Sequence, residues 1–239
     1  MANTYFQFKQ FTIQQADCAM KVCTDACLFG AWVAEQTINF PLKQVLDIGA
    51  GTGLLSLMIA QKTNAIVHAI EIEPNAAKQC AENFAASPFN ERMHVTCCDV
   101  NEFTLETLAD LIVCNPPFFS GDLNSPIAAN NLARHEAGLS LLALASACHR
   151  MIKENGLVAI LLPCRRSEEM KSLMYAAHFH IQNEAMVLQS PAHKPFRTML
   201  LFSKTAQPDA AKESILIKDE SKDYSMRFKT LLQDYYLQL

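Results

Sequence analysis

Four consecutive residues near the middle of the chain have the groups needed to activate a planar amino nitrogen. They are Asn115, Pro116, Pro117 and Phe118, and they follow an apolar run at 111–114. The Asn115 side-chain oxygen and the Pro116 carbonyl can each accept one N–H, which lets the nitrogen pyramidalise and regain its lone pair. The prolines fix φ, and the Phe118 ring can stack on a base. The tetrad predicts methyl transfer to an exocyclic nitrogen, with Phe119 closing the pocket and with no metal or covalent intermediate.

A different methylation chemistry would need a nucleophilic cysteine close to the same position. Pyrimidine-C5 enzymes use such a thiolate, and Cys114 directly precedes Asn115. Cys114 lies inside an apolar, strand-like run, where a thiol is expected to be buried and inert. We therefore interpret Cys114 as a core residue.

A glycine-rich loop about sixty residues earlier predicts the end of a strand at which a ligand approaches the backbone. Gly49, Gly51 and Gly53 allow sharp turns there, and the following helix directs its N–H groups toward the loop. A dinucleotide fingerprint would require a further glycine at position 54, where this chain has Leu54. A carboxylate just before the loop, on Asp47, would repel a pyrophosphate but would pair with a cationic or amino-bearing ligand.

Two further carboxylates follow the next two predicted strands. Glu71 can accept both hydroxyl protons of a ribose, and Glu73 is the competing candidate for that role. Asp99 can accept from an adenine amino group with Val100 near the ring, or it can be a simple turn or cap residue. Together with Asp47 these residues predict S-adenosylmethionine, which has an ammonium, a sulfonium and no phosphate.

Alternating apolar runs and helix-like stretches predict a parallel sheet with helices on both faces. We place strands near 44–48, 66–72, 94–98, 110–114, 157–162, 180–188 and 197–203, and helices near 53–62, 74–86, 139–152 and 166–177. The last two strands have no helical pattern between them and should form a hairpin, which gives seven strands with the last one antiparallel. We expect the turn at 153–156 to end a helix at Gly156, residues 205–216 to be a polar link, and an amphipathic tail to pack on the domain.

The composition fits one α/β domain of 239 residues, half of them apolar. No signal peptide or apolar run of membrane-spanning length is visible, so we expect a cytoplasmic protein. The nine cysteines are odd in number and lack a CxxC spacing, which favours buried, reduced thiols, Cys97 and Cys114 among them, over disulfides or zinc. Residues 1–133 hold 6 Lys and Arg against 13 Asp and Glu (net −7), and residues 134–239 hold 14 against 11 (net +3). This asymmetry suits a phosphate-bearing partner held by the second half, although a solvated surface explains it equally well.

With these motifs in place, the chain resembles the class I methyltransferases that have an Asn-Pro-Pro-aromatic motif. It is most similar to the bacterial tRNA1(Val) (adenine-37-N6)-methyltransferase family, whose fold is a Rossmann-like α/β sheet. The likeness extends over nearly the whole chain and includes Phe6, Phe8, Lys9, Phe11, the segment at 19–25, Gly30, Ala31, Trp32, Arg134, His135, Arg197, Tyr224, Tyr235, Tyr236 and Leu237.

The resemblance implies roles for residues that the motifs alone do not assign. In that family the segment at 21–25 packs over the methionine part of the cofactor, so Lys21, Thr24 and Asp25 become candidate cofactor neighbours. Cys23 and Cys27 stand where glycines are expected. The implied division is an N-terminal cofactor-covering segment (1–43), a methyltransferase core (44–204) and a C-terminal tail (205–239).

The implied substrate is an adenine beside the anticodon of a valine tRNA. A loop base is already partly unstacked, so it is flipped out more cheaply than a base in a duplex. Candidate residues for contact with RNA phosphate, each also explicable as a surface or ion-paired residue, are Arg134, Arg165, Arg166, Lys194 and Arg197. His135 either touches the base or caps the helix that follows. The oligomeric state is left open.

Three alternatives use the same chemistry or the same cofactor. Enzymes that methylate a release-factor glutamine have a sizeable helical domain before the glycine-rich loop, whereas 46 residues precede Asp47 here. Enzymes that methylate another RNA amino group, such as guanine N2, usually have an extra duplicated domain. A non-catalytic binder of S-adenosylmethionine or RNA would not need the intact tetrad.

Overall fold

The structure is a computed structural model that describes residues 3–18, 20–117 and 139–239. Its centre is an eight-stranded sheet with the order β10-β8-β9-β7-β6-β3-β4-β5. The strands are β3 (Gln44–Ile48), β4 (Ile66–Glu71), β5 (Met93–Cys97), β6 (Ala109–Cys114), β7 (Ile152–Pro163), β8 (His180–Leu188), β9 (Arg197–Ser203) and β10 (Ala211–Leu216). Outside this sheet, β1 (Tyr5–Gln7) and β2 (Thr12–Gln14) form a small antiparallel hairpin.

Helices cover both faces of the sheet, as the sequence predicts. Within the described residues they are α1 (Thr24–Gln36), α2 (Leu54–Ala60), α3 (Pro74–Ala85), α4 (Leu141–Met151), α5 (Ser167–Ala176) and α6 (Met226–Leu232). The buried side chains form two clusters because successive residues of each strand point to opposite faces. One cluster contains residues of α1, α2, α3 and α6, and the other contains residues of α4 and α5. None of the helices in the described ranges has the length and apolar character needed to cross a membrane.

The strand directions confirm the predicted hairpin. β9 is antiparallel to both β7 and β8, and the other pairings in the sheet are parallel. The predicted number of seven strands was wrong, because β10 adds an eighth at the edge beside β8. This strand lies within the segment interpreted as a polar link.

Two local predictions also differ from the structure. Gly156 does not end a helix: α4 ends at Met151, and Gly156 lies within β7, where the pairing with β6 shifts register between Ala109 and Leu111. Cys97 was expected to be buried, but its position on the outermost strand leaves it exposed. Cys114 is fully buried, as predicted.

The two ends of the chain meet on one face of the domain. Phe228, Leu231, Leu232 and Tyr235 are buried in the same cluster as α1 and α2. The Tyr236 ring contacts Phe6, Phe8 and Phe228. The division of the chain into three parts stays a prediction, since this packing joins all three.

Candidate functional site

The parallel register brings the ends of β3, β4, β5 and β6 to one edge of the sheet. Ile48 pairs with Cys114 on one side and with Ile70 on the other. The residues that follow, Gly49 and Asn115, therefore emerge next to each other. Glu71 pairs with Cys97, two residues before Asp99. The predicted cofactor residues and the Asn-Pro-Pro segment thus share this edge.

The glycine loop is open on the side where a ligand would approach. Gly49, Gly51 and Gly53 have φ values of 72°, 56° and 81°, a region that side chains rarely adopt. A Cβ atom at Gly49 or Gly51 would meet no described atom within 4 Å, whereas one at Gly53 would lie 2.5 Å from Phe84 Cε1. The first two glycines therefore border free space, and the third packs the loop against α3.

Asp47 is completely buried and points toward α2. Its Oδ2 accepts hydrogen bonds from the Ser56 backbone N–H (3.1 Å) and hydroxyl (2.7 Å). Its Oδ1 is buried and has no hydrogen-bond partner among the described residues. Burial raises the pKa of this carboxyl from 3.8 to about 7, and the nearby Glu71 carboxylate adds to the rise. An unsatisfied buried acceptor of this kind fits a ligand that donates a hydrogen bond.

Glu71 and Glu73 have different tasks. The Glu71 carboxylate accepts from Gly51 N–H at 2.8 Å and from Glu73 N–H at 3.0 Å, which fixes it beside the open loop. Glu73 caps α3 by accepting from Asn75 and Ala76. The capping role explains why an acidic residue stands at position 73, and Glu71 keeps lone pairs free for further donors.

Asp99 forms a tight turn at the end of β5. Its Oδ1 accepts from the backbone N–H of Asn101 at 2.8 Å and from the Asn101 side chain at 2.9 Å. Val100 is buried, with 7% of its surface exposed. The turn that competed with the adenine-binding role is present. Within the described ranges the second carboxylate oxygen of Asp99 has no protein donor, so both roles are compatible.

The Asn-Pro-Pro segment ends β6 with a buried, unsatisfied acceptor. Asn115 Oδ1 has no hydrogen-bond partner in the described part of the chain. Pro116 is buried and Pro117 is exposed. Burial raises the pKa of the Cys114 thiol well above its usual value, which disfavours a nucleophilic thiolate. Four predicted site residues, Phe118, Phe119, Arg134 and His135, lie outside the described residues.

The candidate cofactor neighbours near the start of α1 are held by other parts of the protein. The Lys21 ammonium donates to the backbone oxygens of Gln15 and Ala16. Thr24 is exposed at the start of α1. The Asp25 carboxylate accepts from Arg197 Nε at 2.7 Å. At Cys23, where glycine was expected, φ is −129°, a value open to any residue.

The cations expected to contact RNA fall into two groups. Arg165 and Lys194 are exposed. Arg166 forms a two-point ion pair with Glu169, and Arg197 pairs with Asp25. All four lie at the same edge as Asn115, because Arg197 pairs with Pro163 at the end of β7. They are on the opposite side of β6 from the glycine loop.

Sequence reasoning did not single out several polar residues that shape this edge. Ser56 binds Asp47. Gln15, Gln79 and Asn83 are buried and bind backbone atoms near the loop. The four-residue spacing of Gln79 and Asn83 places them on one face of α3, but the same spacing is common on solvent-exposed faces and does not identify a buried pair.

Comparisons with known proteins agree with this geometry. Residues 30–141 match the family model described as "Methyltransferase small domain". A relative from Cytophaga hutchinsonii, named tRNA1(Val) (adenine(37)-N6)-methyltransferase, is 36% identical over 241 residues, which cover 100% of each chain. The chain belongs to the tRNA1(Val) (adenine(37)-N6)-methyltransferase family.

Two solved structures show how widely this family's fold is shared. A protein of Agrobacterium tumefaciens described as a predicted O-methyltransferase has a TM-score of 0.68 at 15% identity, over 88% of this chain and 96% of that one. An S-adenosylmethionine-dependent methyltransferase from Clostridium acetobutylicum has a TM-score of 0.53 at 12% identity, over 77% of this chain and 92% of that one. At these identities the likeness supports the Rossmann-like fold alone.

Proposed function

We propose that this protein transfers a methyl group from S-adenosylmethionine to N6 of adenine 37 in tRNA1(Val). The Cytophaga hutchinsonii relative with that name aligns over the whole chain. The single structural observation that carries the proposal is the buried Asn115 Oδ1 at the end of β6, which has no hydrogen-bond partner among residues 3–18, 20–117 and 139–239 and lies next to the glycine loop. Leaving such an acceptor without a partner is costly, so its retention favours a role in binding a donor.

The residues around the loop suit this cofactor. Glu71 offers carboxylate lone pairs for ribose hydroxyls, and Asp99 with Val100 suits the adenine. Asp47 Oδ1 is buried and has no donor among the described residues, so a ligand could supply one. Gly49 and Gly51 leave room for a ligand against the backbone. Bound there, S-adenosylmethionine supplies an electrophilic methyl group on a positively charged sulfur. Lys21, Thr24 and Asp25 are part of this proposal only as residues of the covering segment.

The residues Asn115 to Pro117 would activate the nitrogen that accepts the methyl group. The Asn115 amide oxygen and the Pro116 carbonyl each accept one N–H of the adenine amino group, which draws the lone pair out of conjugation with the ring. The buried Pro116 keeps its carbonyl fixed, because proline restricts φ. Phe118, stacking on the base, and Phe119 complete the proposed pocket. The methylated nitrogen then loses a proton to water, so no side chain has to act as a dedicated base.

The strand order supports a separate side for the tRNA. The proposed cofactor residues follow β3, β4 and β5, and the exposed cations Arg165 and Lys194 follow β7 and β8. Asn115, on β6, lies between the two groups. A valine tRNA that reaches the site from the β7 side would meet these cations with its phosphates and the Asn-Pro-Pro segment with its base. Arg134 and His135 are proposed to contribute from the same half of the sequence.

The test is nucleoside mass spectrometry of valine tRNA treated with S-adenosylmethionine and either the native protein or the Asn115→Ala variant. We expect N6-methyladenosine at position 37 with the native protein and a loss of about 100-fold or more in the variant, the scale found when one electrostatic contact to a reacting group is removed. Equal methylation by the two proteins would remove Asn115 from the chemistry. Methyl transfer to a release factor, with none to tRNA, would replace the proposed substrate.

A further inference from the structure

Three buried amide side chains lie near the edge of the sheet that carries the proposed cofactor residues. They have no role in the proposed chemistry. Gln15 and Gln79 are each 4% exposed, and Asn83 is 1% exposed. A buried amide is costly unless its donors and acceptors are satisfied. All three bind backbone atoms at the end of β2 or between β2 and α1.

Asn83 joins the N-terminal hairpin to the glycine loop. Its Oδ1 accepts from Gln14 N–H at 2.8 Å, and its Nδ2 donates to the Gln14 carbonyl at 2.9 Å. The same Nδ2 donates to the Thr52 carbonyl at 2.9 Å. One side chain on α3 therefore holds the end of β2 and the middle of the loop in a fixed relation.

Gln79 and Gln15 extend this arrangement along the chain. Gln79 lies one helical turn before Asn83, and its Oε1 accepts from Asp17 N–H at 3.4 Å. Gln15 Oε1 accepts from Val22 N–H at 2.7 Å, which joins the residue after β2 to a residue just before α1. Hydrogen bonds from side chains thus fix the position of the segment between β2 and α1.

The held segment borders the cofactor residues. Cys18 is buried, with 4% of its surface exposed. Burial, together with the nearby carboxylates of Glu71 and Glu73, raises the pKa of its thiol to about 11. The segment therefore lies between Asn83, which also binds Thr52 in the loop, and the neighbourhood of Glu71.

We infer that Asn83 and Gln79 are positioning residues that hold residues 14–17 against the glycine loop and so set the affinity for the cofactor. The inference rests on the proposed function, since it takes S-adenosylmethionine to be the ligand of that loop. Neither side chain contacts the reacting nitrogen in this scheme. Their loss should weaken cofactor binding while the bound complex still reacts.

The test compares Asn83→Ala with Asn183→Ala. Asn183 in β8 also donates a hydrogen bond to another element, the Gln36 side chain in α1, but β8 is separated from β3 by three strands. In the free protein, hydrogen exchange at the amides of Gln14, Asp17 and Val22 should accelerate about tenfold in Asn83→Ala and stay unchanged in Asn183→Ala. Calorimetric titration with S-adenosylmethionine should show a Kd about tenfold higher for Asn83→Ala alone.

Kinetics and a conservative variant separate positioning from general destabilisation. Asn83→Ala should raise KM for the cofactor and leave kcat within about twofold, since the bound geometry is retained. Gln79→Met, which keeps most of the side-chain volume but removes the acceptor for Asp17 N–H, should also weaken cofactor binding and leave kcat within about twofold.

The possible outcomes distinguish this inference from the proposed function. If the native protein binds S-adenosylmethionine and methylates tRNA, but Asn83→Ala exchanges and binds as the native protein does, the inference is overturned and the function stands. Equal weakening in Asn83→Ala and Asn183→Ala would also overturn it, because a shared loss of stability would explain both. A native protein that binds no S-adenosylmethionine would remove the proposed function and the inference together.

Discussion

Asp47 is the residue whose environment conflicts most with its chemistry. A fully buried carboxyl group, one oxygen of which has no partner in the part of the chain that the structure describes, is destabilised in its ionised form, although the two hydrogen bonds from Ser56 favour that form. Burial prevails and raises its pKa from 3.8 to about 7. Between pH 3.8 and about 7, the folded protein therefore holds a proton at Asp47 that the unfolded chain releases.

This shift predicts how the stability of the ligand-free protein depends on pH. Between pH 3.8 and about 7 the folded state binds more protons at Asp47 than the unfolded state does. The contribution of this group to stability is complete below pH 3.8, falls as pH rises and is lost above about 7. The free energy of unfolding, measured by urea titration at several pH values, should decline across this window.

The matched control for this prediction is Asp47→Asn. Asparagine keeps an oxygen for Ser56 and carries no ionisable group. The native protein minus the variant should show the decline, since all other titrating groups cancel in the difference. A difference curve that is flat from pH 4 to 8 would contradict a raised pKa.

At the scale of elements, α6 and the residues after it stabilise the domain from outside the sheet. Leu232 is fully buried in the cluster that contains α1 and α2, and Leu237, five residues later, is 54% exposed. Leu232→Ala should lower the free energy of unfolding by about 2–5 kcal/mol, through lost burial and the cavity that remains. Leu237→Ala should change it by less than about 0.5 kcal/mol. Equal effects in denaturant titrations would mean that the tail does not pack as described.

The sequence predicts most strands of the sheet closely, but it places the start of β7 five residues late and misses the edge strand β10. β3, β8 and β9 have the predicted bounds, because apolar runs between turn residues have few other interpretations. The sequence of β10 is interpreted as part of a polar link because residues 205–216 combine Pro, Ala and Lys with other polar residues, and in the structure Lys212 is exposed. A strand at the edge of a sheet has one partner and tolerates charge, so its pattern resembles that of a loop.

The candidate site shows the same limit at a smaller scale. The carboxylates at the strand ends could be predicted because the parallel topology alone brings them together. Asn83 could not, since an asparagine on an amphipathic helix is normally taken for part of the solvent face. Its burial depends on the N-terminal segment, which is 69 residues away in sequence and meets Asn83 only in the folded chain.

At the scale of the whole molecule, the negatively and positively charged parts of the chain supply different halves of the sheet. The first 133 residues, with a net charge of −7, supply β3 to β6, and the remaining residues, with +3, supply β7 to β10. A polyanion approaching the sheet edge is therefore repelled from the proposed cofactor side and attracted to the β7 side. The electrostatic field of the molecule therefore favours an approach of tRNA to Asn115 from the β7 side.

This division predicts how tRNA affinity responds to single cations. Arg165 and Lys194 are exposed at the edge where β7 and β8 end, and Lys212 is equally exposed near the start of β10. Arg165→Ala and Lys194→Ala should each weaken binding of tRNA, because each loses one phosphate contact. The negative slope of log affinity against log salt should become shallower by about 1 in each variant. Lys212→Ala should leave the slope unchanged.

Filter binding at several salt concentrations measures these slopes, and calorimetric titration should show the same cofactor affinity in all three variants. Unchanged slopes in Arg165→Ala and Lys194→Ala would place the tRNA on another surface. A reduced slope in Lys212→Ala alone would move it to the opposite side of the sheet.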